Sequence, residues 1–193
     1  MNPALAMPDA PPARRRGRLQ LLLILMVVIG PMVLASAMYK FQFWVPEGRS
    51  FHGTLVGNGL TGADIGVRGA VSGGGWQLLV TAPAGCQADC QQLVYLARQI
   101  HIGLGREASR ASHSLATTVV PADYAETLRQ EYPQLRRLGL DAAAYHKAAA
   151  APEGAQLWIV DPHGNLVLRY DGATRGKQIL NDLRHLLKLS NIG

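Results

Sequence analysis

The stretch that most constrains this chain is residues 75–90, Gly-Trp-Gln-Leu-Leu-Val-Thr-Ala-Pro-Ala-Gly-Cys-Gln-Ala-Asp-Cys. Its Leu- and Val-rich run has the length of one buried strand, breaks at Pro83 and Gly85, and gives way to a helical pattern at the first of the chain's two cysteines. A strand that ends in a tight loop and restarts as a helix sets Cys86 beside unpaired backbone amides and the positive end of a helix dipole. That field favours thiolate over thiol. Cys86 therefore reads as the attacking sulfur, and Cys90, one turn on, as the resolving thiol or a second metal ligand. Residues i and i+4 of a regular helix hold their Cβ atoms about 5 to 6 Å apart, further than the roughly 3.5 to 4.5 Å of a disulfide. Cys86 is thus expected in the loop, outside the helix, and the closed pair is expected to be easily reduced. The inert alternative is a structural disulfide, which stabilises little because a loop this short saves little chain entropy.

Two cysteines cannot build a disulfide-dense scaffold, so a close pair points to redox or metal chemistry. The net charge of +6 overstates how basic the folded part is, because Arg14, Arg15, Arg16 and Arg18 crowd a short N-terminal tail opposed only by Asp9. Basic residues beyond the tail are scattered, without aromatic interleaving, which argues against nucleic acid as a partner.

The chain divides accordingly. Residues 1–18 form a Pro- and Ala-rich basic tail. Residues 19–39 are apolar but for Gln20 and Ser36, long enough to cross roughly 30 Å of hydrocarbon. The arginine cluster places the N-terminus in the cytoplasm and the rest across the inner membrane, in the periplasm. The rival reading is a signal peptide cleaved after Ala37, since Ala35-Ser36-Ala37 has the A-x-A form and Gly30-Pro31 can break the helix. Residues 40–70 open on Phe41, Phe43 and Trp44, suited to a membrane interface, and continue as a linker with weak edge strands at Gly53–Val56 and Ile65–Val67. Residues 71–193 form the main domain.

Within it, the spacing predicts a strand over 76–82, a helix over about 86–102 and a strand over 115–120. A helix over 124–130 capped by Asp123 follows, then a second short helix through Leu138 and an Ala-rich helix over 141–150. Leu157–Val160 and Leu166–Tyr170 flank the turn Asp161-Pro162-His163-Gly164-Asn165 as a hairpin. An amphipathic helix over about 176–189 closes the chain. The order β-α-β-α-β-β-α, with cysteines where the first strand meets the first helix, describes an α/β thioredoxin-like fold, a central sheet flanked by helices. Chemistry on such sheets gathers at the carboxyl ends of the strands, where this loop falls. Trp76 and Trp158 are most simply packing residues on neighbouring strands.

From about Phe51 to Leu189 the chain resembles the Sco family of cytochrome c oxidase assembly factors. The carriers are the Gly-rich lead-in to Trp76–Val80, the pair Cys86 and Cys90, the hairpin from Leu157 to Leu166, and the closing helix. The resemblance implies a membrane-tethered protein that carries copper to the oxidase or reduces the cysteines of its copper site. It also implies an oxidase subunit or another assembly factor as partner. Two departures bear on this. Gln87 and Gln91 stand where that family usually has prolines, and Glu153 stands where it carries a copper-binding His. The nearest imidazole, His146, lies seven residues earlier. Two thiolates with a third ligand make a good Cu(I) site, and without one they hold copper more weakly. Thiol-disulfide exchange needs only an attacking thiolate and a resolving neighbour, so it is the expected chemistry at Cys86 and Cys90, with Cu(I) binding second and His146 as a possible third ligand. The bland reading of His146 is a solvated helix residue. Glu153 reads as an exposed loop carboxylate or a proton acceptor, His163 and His185 as solvent-facing, and His52, His101 and His113 show no ligand spacing. Two other functions stay open: a non-catalytic scaffold of oxidase assembly and a general periplasmic thiol reductase.

Overall fold

The computed structural model describes residues 14–41, 51–69, 74–148 and 154–190. They fall into two units, residues 1–48 and 49–193. The first unit is one helix, α1 (Arg14–Phe41), which continues through Pro31 rather than breaking there. Its segment Gly17–Met38 has a mean hydropathy of 2.6 and is long and apolar enough to span a bilayer. Phe43 and Trp44, and the tail before residue 14, lie outside the described residues.

The second unit is a seven-stranded mixed sheet in the order β1-β7-β6-β3-β4-β5-β2. Its strands are β1 (Thr54–Leu55), β2 (Val67–Arg68), β3 (Trp76–Ala82), β4 (Ala111–Thr117), β5 (Arg136–Leu140), β6 (Gln156–Val160) and β7 (Leu166–Tyr170). β3 is buried along its whole length, as a central strand must be when both faces of the sheet are covered. Leu78, Val80 and Ala82 point to one face, where helices α2 (Ala88–Gly103), α3 (Ala122–Glu131) and α5 (Gly176–Leu189) pack through Leu93, Val94, Leu128, Ile179 and Leu183. Each such side chain contributes about 1.5 to 3 kcal/mol on burial. Leu79 points to the other face, where Ile65, Val67 and Tyr145 of α4 (Ala142–Lys147) cover Ala116 and Trp158.

Several polar side chains on the buried strands pair with one another, while Gln77 Oε1 and Trp76 Nε1 have no hydrogen-bond partner among the described residues. Gln77 Nε2 donates to Ser114 Oγ at 2.7 Å, and Trp158 Nε1 donates to Thr81 Oγ1 at 2.9 Å, itself 3.0 Å from the Tyr145 hydroxyl. A bulge at Ile159/Val160 shifts the β6–β7 register, so that Leu166 packs on one face and Leu168 on the other.

Several expectations hold and several are corrected. β3, the hairpin, α5 and the two edge strands stand where the pattern put them. The thioredoxin-like α/β fold with an N-terminal apolar helix is observed. The folded unit, however, begins near Arg49 rather than at 71, because β1 and β2 close opposite edges of the sheet. β4 starts at Ala111, four residues before its apolar run, because it pairs in register with all of β3 from Trp76 onward. Asp123 lies in the first turn of α3, whose N-cap is Pro121. The helix expected through Leu138 is instead β5, which pairs with β4 on one side and β2 on the other. Asp141 caps α4 by accepting from the amides of Ala143 and Ala144. Gly66 sits at φ +78° where a Cβ would meet the Asp141 carbonyl oxygen at 2.7 Å, so only glycine fits between β2 and α4.

Candidate functional site

The carboxyl end of β3 carries the cysteine loop, and β4 ties it down. Gly85 turns the chain at φ +91° and donates its amide to the Ala82 carbonyl at 3.2 Å. Cys86 N donates to Val119 O at 2.9 Å. Thr117 Oγ1 donates to Ala82 O at 3.0 Å, and Thr118 Oγ1 to Pro83 O at 3.1 Å. These anchors come from the residues that end β4, which is how the parallel pairing of two strands positions a loop that follows only one of them. The helix then starts at Ala88. Its N-cap, Gln87, makes no side-chain cap hydrogen bond, so no side chain at that position neutralises the amides of the first turn.

Cys86 thus lies outside α2 and Cys90 in its first turn, as expected. They form a disulfide with Cα atoms 5.0 Å apart, inside the ordinary disulfide range. Access differs from what an attacking thiolate needs: Cys86 is 0% exposed and Cys90 1%, both within the apolar cluster of the α2 face. No local signal in the loop reveals this cover, which comes from packing of the helices on the sheet. Around the pair, Ala84, Gln87, Ala88 and Asp89 are exposed, and a hollow of about 210 Å³ is lined by Pro83, Gly85, Asp89, Cys90 and Ala155. Three effects then compete at the sulfurs. The uncapped helix terminus favours thiolate, while burial and the Asp89 carboxylate in the first turn both oppose it.

His146 is exposed on α4, whose Tyr145 packs on the sheet face opposite the cysteines. The structure does not bring it into the sulfur pair, and among the described residues no group of three His, Cys, Asp or Glu can hold a metal ion. Two sulfurs without a third donor do not make a preformed copper site. Glu153 lies outside the described residues. His163 is exposed in the hairpin turn, and His185 is exposed on α5 with its ring 5.5 Å from Phe51.

Three histidines do more than their spacing implied. The half-exposed His52 ring is 2.8 Å from the buried Asp182 carboxylate, and the rings of His101 and His113 lie 5.0 Å apart. One signal was legible for Asp182: three residues after Ile179, it sits on the inward stripe of α5. Nothing in the spacing reveals the His101–His113 pair, which a helix and a strand bring together. Burial, with the charges of His101 and Arg98 adding, pushes the His113 pKa down to about 4. The unfolded chain therefore binds more protons between pH 6.5 and 4, so the stability of the folded form is complete above 6.5 and lost as pH falls toward 4. The loss is expected to be on the order of 2–3 kcal/mol at 1.36 kcal/mol per unit. Denaturant melts across that window measure it, and a His113→Phe variant should flatten the curve.

Residues 76–190 match the family model described as the transmembrane-like, thioredoxin-like C-terminal domain, and residues 11–42 match its transmembrane-like N-terminal domain. No curated protein matches the chain. Among solved structures, copper-bound Arabidopsis thaliana ScoI is 11% identical, with 61% of this chain and 86% of that one covered and a TM-score of 0.46. Copper-bound yeast Sco1 is 15% identical, with 61% and 80% covered and a TM-score of 0.47. DsbF of MTB, in mixed oxidized and reduced forms, is 16% identical, with 58% and 81% covered and a TM-score of 0.42.

Proposed function

The chain belongs to the transmembrane-like, thioredoxin-like family, and from that premise we propose that it is a membrane-anchored thiol-disulfide reductase working outside the cytoplasm. The observation that carries this reading is the Cys86–Cys90 disulfide where β3 gives way to α2. In the reduced protein the Cys86 thiolate attacks a partner disulfide, forming a mixed disulfide and releasing one partner thiolate. Cys90 then attacks Cys86 Sγ, the second partner thiol leaves with its electron pair, and the protein ends as the disulfide observed. Two electrons pass to the partner and none are left over.

Burial and Asp89 set the direction. Both disfavour the dithiolate relative to the closed disulfide, which makes the pair a donor of electrons rather than an oxidant. A partner segment carrying its own disulfide docks in the hollow lined by Gly85 and Gln87, which flank Cys86, and by Cys90. The resemblance to Sco proteins makes the cysteines of an oxidase copper site the favoured partner, with Cu(I) as possible cargo on the reduced pair. The arginines at the start of α1 support an orientation with the N-terminus in the cytoplasm.

Equilibration of the full chain in detergent with glutathione buffers tests the reading. One two-electron transition is expected, more reducing than about −200 mV. Absence of any transition, or a midpoint near that of a strong oxidant, would remove the proposed activity. Asp89→Asn is expected to shift the midpoint upward by about 15–30 mV, since losing that charge stabilises the thiolate by roughly 0.7–1.4 kcal/mol.

A further inference from the structure

A second polar cluster lies away from the cysteines. His101 stands at the end of α2, eleven residues and about 16 Å of helix beyond Cys90, and His113 is the third residue of β4. Their ring centroids are 5.0 Å apart, tilted by 45°. With Arg98, Glu131 and Tyr132 they line a hollow of about 220 Å³.

The two rings are held differently. His101 Nε2 lies 3.1 Å from the Ala108 carbonyl oxygen and 2.9 Å from that of Ala111. Both are acceptors, so this nitrogen carries the proton and donates, and in the neutral ring Nδ1 keeps its lone pair. A ring fixed through N–H to a backbone carbonyl, with the lone pair on the other nitrogen, is how metal-ligating histidines are oriented. His113 is 4% exposed and lines the same hollow, so a ligand entering it meets this ring. Two imidazoles held about 2.0 to 2.1 Å from one tetrahedral metal put their ring centres roughly 5.2 Å apart, close to the spacing seen.

The rival occupant is an anion, and the charges weigh against it. The His101 N–H is committed to carbonyls, which leaves Arg98 as the charged donor in the hollow to meet a negative group. Arg98 already lies over the Tyr132 ring, 5.0 Å from its centroid, and Glu131 repels an anion from the same wall. We infer that this hollow binds a borderline divalent cation such as Zn²⁺ through His101 and His113. Water completes the coordination, because no third His, Cys, Asp or Glu among the described residues joins the pair. Glu131, which also lines the hollow, offsets the cation's charge. With two protein ligands the affinity falls in the micromolar range.

Zn²⁺ titrated into the full chain in detergent tests this, with the disulfide kept closed so that the sulfurs cannot ligate. A chromophoric competitor reports affinity, and NMR follows the ring signals of the six histidines. One equivalent should bind and shift the His101 and His113 signals selectively. His101→Gln and His113→Gln should each weaken binding by at least about tenfold, and His146→Gln should not. Unchanged affinity in both ring variants, shifts confined to other histidines, or no binding at millimolar zinc would overturn the inference. If His113→Gln fails to fold, the wild-type ring signals decide alone. The result is independent of the redox titration, since the cysteines take no part.

Discussion

Cys90→Ser is expected to abolish the two-electron redox transition and to leave a chain that accumulates a mixed disulfide with glutathione on Cys86. The physical reason is the division of labour in the loop. Cys86 stands outside α2, where the amides of an N-terminus without a side-chain cap stabilise its thiolate, and Cys90 stands on the first turn as the only sulfur able to resolve it. Cys86→Ser should also lose the transition but form mixed disulfide at least about tenfold more slowly, because its remaining thiol lies within α2 rather than in the loop facing the amides of the helix N-terminus. Mass spectrometry of alkylated samples distinguishes the two. Faster mixed-disulfide formation in Cys86→Ser would reverse the roles, and the presence of Cys90 in the wall of the hollow shows how a partner would reach it. In cells, the double variant should lose maturation of the partner's cysteines. Intact maturation would favour a scaffold instead.

Asp182→Ala is expected to destabilise the folded unit by about 3–5 kcal/mol, since it removes a buried acceptor on which four donors converge. Asp182 is 2% exposed. Its Oδ2 accepts from the amides of His52 at 2.7 Å and Gly53 at 3.2 Å and from the Tyr170 hydroxyl at 2.9 Å, and Oδ1 from the His52 ring at 2.8 Å. The carboxylate fastens residues 52–53, where the chain enters the sheet, to α5 and β7, and its negative charge together with burial raises the Tyr170 pKa well above the ordinary phenol range. Tyr170→Phe removes one donor and should cost only about 0.5–1.5 kcal/mol. Denaturant unfolding of both variants measures the difference. A loss below about 1 kcal/mol for Asp182→Ala would show that the entering segment holds without this anchor.

Short-range chemistry made much of the fold legible. Trp76–Ala82 is apolar enough to be central, Pro83 and Gly85 stop it, and the i, i+4, i+8 stripe of Ile179, Leu183 and Leu187 marks α5. Such signals depend on neighbours a few residues away, so the sequence states them directly. β5 was misread because Arg136–Leu140 carries two adjacent arginines and a glycine, a poor strand by composition that the open edge of β4 nonetheless recruits. β4 was cut short for a related reason: Ala111-Ser112-His113-Ser114 reads as too polar for a buried strand, and pairing with β3 places it there, with Ser114 accepting from Gln77 Nε2.

The site divides the same way. By itself the sequence determined that two sulfurs sit where a strand becomes a helix, that Cys86 lies outside that helix, and that an apolar span of bilayer length precedes the domain. Only the tertiary structure decided that both sulfurs are covered, that His146 packs away from them, that Asp182 gathers four donors, and that His101 meets His113. Each of these depends on groups far apart in the chain, and their proximity is set by strand register and helix packing rather than by any local propensity.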